Sequence, residues 1–184
     1  MNEDYIVRTI PQVNYPKSII KNKLIYKITG GVIFDYVISY SIMSVFLFVF
    51  LIPILTSISG SKELIWAVPI CVAIELFMVL SMFYRNAFVI TKGEDISQNK
   101  QKITEVLDAF YADLDYQVND ELIMRSITPV GSPIWGRIIT ILFDDNLIYL
   151  NITSLGKGNT TSTAHGFLNY LKARKIAAYY NLHN

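Results

Sequence analysis

The chain has a single cysteine, Cys71. A lone thiol excludes an internal disulfide and a cysteine-built zinc cluster within one chain. Histidine is almost as scarce. Neither His165 nor His183 stands in a carboxylate–histidine or Ser-His-Asp spacing of the kind that moves protons in catalysis. Charge is thin: 17% of residues are charged, against roughly 25% in ordinary soluble domains. The formal net charge is +1, and residues 97–184 carry eight basic and eight acidic side chains. That balance excludes the domain-wide basic footprint of a nucleic-acid binder. There is no internal repeat and no low-complexity tract. No enzyme, metal site or cofactor is expected.

What the chain has in excess is apolar residues, 52% of the total, gathered in two blocks. Tyr36 to Leu55 reads YVISYSIMSVFLFVFLIPIL and holds no charge. At a helical rise of ~1.5 Å it reaches roughly 30 Å, the hydrocarbon thickness of a bilayer. Leu64 to Tyr84 reads LIWAVPICVAIELFMVLSMFY and holds one charge, Glu75. The link between the blocks is short, which makes the two helices antiparallel neighbours. Lys and Arg flank the outer ends of the pair, while the link has Lys62 alone. By the positive-inside rule both termini are expected in the cytoplasm.

The expected fold is therefore a membrane protein: a two-helix transmembrane hairpin followed by a cytoplasmic α+β domain. The expected divisions are a basic N-terminal arm (1–29), the hairpin (30–85, with spans at about 36–55 and 64–84), a connector (86–96) and the α+β domain (97–184). The expected location is the cell inner (plasma) membrane, multi-pass.

In the arm, PKSIIKNKLIYKITGG alternates isoleucines with lysines. It reads either as a short interfacial helix, with Lys21, Lys23 and Lys27 among anionic head groups, or as a solvated flank. In the last domain, Ser97 is the expected N-cap. Ile103, Val106, Leu107, Phe110 and Leu114 follow at helical spacing. Three strands are expected at 122–128, 137–143 and 147–153, as an antiparallel meander. Asp144, Asp145 and Asn146 supply the turn between the last two. A final helix at about 162–181 is expected to turn Phe167, Leu168, Leu171 and Ile176 to the core.

Three places carry candidate chemistry. Glu75 lies mid-block, where a carboxyl costs roughly 2.5–3.5 kcal/mol on insertion scales and so needs a partner. Ser41 and Ser44 of the first block, or a second copy of the chain, would supply one. The loop PVGSPIWG sets Trp135 among prolines and glycines, which suits either a binding face or a cap on the core. Lys157 and Gly158, in the loop before the last helix, read either as the parts of an anion site or as a solvated loop capped by Ser162 or Thr163. They lack the G-x-x-x-x-G-K-[ST] order of a P-loop.

The function these residues suggest is a membrane-anchored binding or scaffold module, whose last domain engages a protein or small ligand. The alternative is a small oligomeric ion or proton transport subunit built on Glu75. The expected partners are the lipid bilayer and either a second copy or a membrane protein, with no nucleic acid.

Overall fold

Strands β4 (Gly136–Asp144) and β5 (Leu147–Leu155) form the hairpin that organises the computed structural model. Asp145 adopts a left-handed φ of 48°, which a short-chain acidic residue tolerates in a tight turn. Residues 11–58, 68–111, 114–128, 136–156 and 161–182 are described. The side chains at 35, 42, 43, 46, 47, 53, 57 and 58 are not described.

In chain order the other elements are α1 (Tyr15–Ile20), α2 (Gly30–Ile58), α3 (Val68–Tyr84), β1 (Val89–Lys92) and α4 (Ile96–Phe110). After these come β2 (Tyr116–Asn119), β3 (Ile123–Thr128) and, beyond the hairpin, α5 (Gly166–Leu182).

The sheet has five antiparallel strands in the order β1-β5-β4-β3-β2. The expected three-strand meander is thus extended at both edges. At one edge β1 comes from the expected connector. It is too short for a periodic signal, and the TKGED stretch at its end masked it. At the other edge β2 is four residues with a register shift, and only pairing with β3 gives it away.

Alternation along the strands makes two faces. Met124, Ile139, Ile141, Phe143, Ile148, Leu150 and Ile152 pack under α4 and α5 with Ile103, Leu107, Ile176 and Tyr180. The opposite face includes Leu142 and Tyr149. It is covered by Val13, Leu24, Tyr26 and Val32, together with Phe88. The segment before the hairpin therefore covers one side of the sheet. Backbone pairs fix it there: Val13 bridges Tyr26, Lys23 bridges Ala87, and the Leu24 amide donates to the Asn86 carbonyl at 2.7 Å. Ser18 Oγ, fully buried, joins the Asn14 carbonyl to the Ile25 amide.

Two helix expectations shift. Asp95, and not Ser97, caps α4; its carboxylate accepts from the Gln98 amide at 3.0 Å. On α5 the buried face is Gly166, Ala173, Ile176, Ala177 and Tyr180. Leu168 and Leu171 are exposed. The helix also packs on α3, and Gly166 lies against that helix.

The expected transmembrane hairpin is corrected. Among the described residues no helix is long and apolar enough to cross a membrane. Helix α3 has 17 residues, ~26 Å at a rise of ~1.5 Å, short of a hydrocarbon core of ~30 Å. Part of α2 is committed to the domain below it. Val32 is buried against the sheet, and the Tyr36 hydroxyl accepts from Asn86 Nδ2 at 2.9 Å. The multi-pass plasma-membrane location, with its cytoplasmic termini, falls with the spans. The two helices do pack together as neighbours.

Candidate functional site

Glu75 is partly buried on α3, and its Oε1 is enclosed with no hydrogen-bond partner among the described residues. The serines expected to meet it do not. Ser41 is exposed, and Ser44 Oγ donates to the Tyr40 carbonyl of its own helix at 2.9 Å. Trp135, Lys157 and Gly158 lie outside the described residues. Lys21, Lys23 and Lys27 are all exposed. Their segment is the six-residue α1 followed by chain without helix. Ile20 and Ile28 face outward while Leu24 is buried.

Sequence reasoning missed the polar layer inside the domain. Arg125 of β3, Thr140 of β4 and Asn151 of β5 are cross-strand partners in one row, and all three are buried. They share the face that the N-terminal segment covers. Asn151 is satisfied: its Nδ2 donates to the carbonyls of Arg85 and Ala87 at 3.2 and 2.9 Å. Its Oδ1 accepts from Thr153 Oγ1 at 2.9 Å.

Arg125 is not satisfied. It is 5% exposed. Its Nη1 donates to the Pro11 carbonyl at 3.0 Å, and its Nε and Nη2 are buried with no partner among the described residues. The guanidinium lies 5.9 Å from the Tyr26 ring centroid. The Tyr26 hydroxyl and Thr140 Oγ1 are likewise buried and unpartnered. Desolvation pushes the Arg125 pKa down, with Tyr26 opposing. Desolvation pushes the Tyr26 phenol up, with Arg125, Thr153 and Arg85 opposing. The Thr153 hydroxyl lies near that phenol without hydrogen-bond geometry, so burial governs.

Beside Arg125 is a cleft of about 320 Å³ whose walls also include Gln12, Val13, Lys27, Asp120 and Ile123. Lys27 Nζ donates to Gln12 Oε1 at 3.1 Å across it. The volume falls at the small end of the range for small-molecule sites, roughly 300–1,000 Å³.

A second buried arginine, Arg85, ties the helical hairpin to the domain. It donates to Thr163 Oγ1 at 3.2 Å and to Thr161 Oγ1, and its guanidinium lies 5.0 Å over the Tyr36 ring. A wider open groove of about 670 Å³ runs past Glu94, Asp95, Lys100, Glu121 and Asp145. Among the described residues no group of His, Cys, Asp and Glu is placed to hold a metal.

One signal in the sequence pointed to Arg125. In IMRSIT it sits between Ile123 and Ile127 at strand period, on a face that two isoleucines mark as inward. Arg85 carried no such signal, because a cation at the end of an apolar block reads as a flank.

No family model matches the chain, nor does any curated protein or solved structure.

Proposed function

We propose that the chain is a lipid-attached binding module. The helical hairpin is its attachment part, and the α+β domain is the part that engages a protein or small ligand. The observation behind this is the outward face of the hairpin. Phe34, Val37, Val45, Phe48, Leu55 and Leu76 are all more than half exposed. Soluble monomers rarely present a continuous apolar patch beyond a few hundred Å². Acyl chains are the surroundings that suit a face with so few polar groups. This reading asks only that the face lie against lipid; it asks neither helix to traverse a bilayer.

The first test is flotation of the full chain with neutral phosphatidylcholine vesicles. The chain is expected in the vesicle fraction. Phe34→Glu with Phe48→Glu is expected to return it to the dense fraction. Each loses the burial of a Phe side chain, ~1.5–3 kcal/mol or roughly tenfold or more in affinity. A chain that stays monodisperse without detergent and never floats would overturn the reading.

A further inference from the structure

We propose that Arg125, Tyr26 and Thr140 form a binding site for the oxyanion group of a small molecule, a carboxylate or a phosphate, whose body occupies the adjoining cleft.

Three facts converge. The first is the character of the unpartnered groups. Arg125 offers three N–H donors, one on Nε and two on Nη2, and the hydroxyls of Tyr26 and Thr140 offer one each. Among the described residues no acidic side chain is hydrogen-bonded to Arg125. A guanidinium taken out of water without a counter-charge is among the most costly features a small domain can hold. A bound oxyanion removes that cost, and two-oxygen groups match the side-on Nε–Nη2 edge with two parallel bonds. Lysine has no such edge.

The second fact is construction. Arg125 and Thr140 are register partners on adjacent strands. Tyr26 is carried over them by a segment pinned at Val13, Leu24 and Lys23. The Arg125 Nη1–Pro11 bond holds the guanidinium in place, and the Nε–Nη2 edge is enclosed without a partner among the described residues. The donors therefore sit on parts of the fold that hydrogen bonds already hold.

The third fact is room. The cleft of about 320 Å³ is walled in part by Arg125. Lys27 adds a second positive charge there. Asp120 stands in the same wall, and its negative charge disfavours ligands bearing several anionic groups. A ligand with one oxyanion, with or without an ammonium to meet Asp120, suits this balance. The inference does not depend on lipid attachment, so a chain that fails to float can still bind the anion.

The experiment is a titration of the full chain with sodium acetate and with inorganic phosphate, at ionic strength held constant with sodium chloride. Thermal midpoint and tyrosine fluorescence are the readouts. At least one probe is expected to give saturable stabilisation that chloride does not, and the preferred probe separates carboxylate from phosphate. Arg125→Met is expected to abolish the response while raising the midpoint in chloride, because it deletes an uncompensated buried charge. A purely structural arginine would lower that midpoint instead. Arg125→Lys and Tyr26→Phe are expected to weaken binding by about tenfold and a few-fold, from the loss of charge-assisted and neutral hydrogen bonds. If Arg125→Met does not fold, these two variants decide the matter. An equal response in wild type and variants, or no saturation with either probe, overturns the proposal.

Discussion

Asn99 shows how much one side chain can fix. It is fully buried in the first turn of α4. Its Oδ1 accepts from the Glu94 amide at 2.7 Å and from the Tyr180 hydroxyl at 2.9 Å, and its Nδ2 donates to the Glu94 carbonyl at 3.0 Å. One amide thus holds the β1–α4 turn against the far end of α5. Gly93 is required beside it: a Cβ there would fall 2.0 Å from Asn99 Oδ1. Tyr180→Phe removes one bond of three and is expected to cost ~0.5–1.5 kcal/mol. Asn99→Ala removes all three bonds and is expected to cost more, ~1–3 kcal/mol. Urea unfolding of both variants checks the order. An Asn99→Ala protein as stable as wild type would show that water replaces the amide.

At the scale of elements, the contact that matters most to the hairpin is between α3 and α5. A Cβ on Gly166 would lie 2.0 Å from the Ser81 carbonyl oxygen and 2.9 Å from the Arg85 backbone. Rings close the same seam: the Tyr84 ring is tilted against Tyr170 at 4.4 Å and against Phe167 at 5.5 Å between centroids. Gly166→Ala must push the two helices apart. Overpacking of this kind costs ~1–3 kcal/mol. A lowered thermal midpoint is expected, together with a larger loss of α3 than of sheet in hydrogen exchange. Uniform loss across the chain would mean that the seam is not a separate unit.

The hairpin β4–β5 was legible because Asp144–Asn146 breaks two Ile- and Leu-rich runs. The amphipathic period of α4 was legible for the same kind of local reason. The inward face of α5 was not, because Phe167 and Leu168 look like core residues until α3 is known to lie alongside. The Arg125 site is assembled from residues 26, 125 and 140, and nothing local in the chain joins them. The transmembrane expectation came from apolar length alone, which says nothing of where a helix starts or what its first turns touch.

At the scale of the molecule, buried phenols set an alkaline limit. Desolvation pushes up Tyr26, Tyr111 and Tyr116, and also Tyr15 and Tyr149, where Asp144 adds to it. Arg137 opposes the shift at Tyr111, its guanidinium lying 3.8 Å over that ring. A raised folded pKa means that the unfolded chain releases its proton first. Stability is then complete below pH 10.0, the ordinary tyrosine value, and falls as pH climbs past it towards the folded pKa values. Denaturation midpoints are expected to drop above that point, with a delayed set of tyrosinates in ultraviolet absorbance. Tyr26→Phe is expected to flatten the drop. Tyrosines that all titrate together at the ordinary value, with the fold intact, would contradict it.

The cover on the second sheet face has a consequence for synthesis. The Tyr15 hydroxyl donates to the Phe143 carbonyl at 2.5 Å, across 128 positions of sequence. At translation rates of ~5–20 residues per second, Tyr15 emerges roughly 6–25 s before its acceptor exists. Throughout that interval Val13, Leu24 and Tyr26 have no sheet to lie on, and the apolar hairpin follows them out of the ribosome before any strand does. The newborn chain thus exposes these apolar segments while the sheet that covers Val13, Leu24 and Tyr26 is still unmade. The segment that carries Val13, Leu24 and Tyr26 is made before the sheet it covers, and it docks only once β4 and β5 exist.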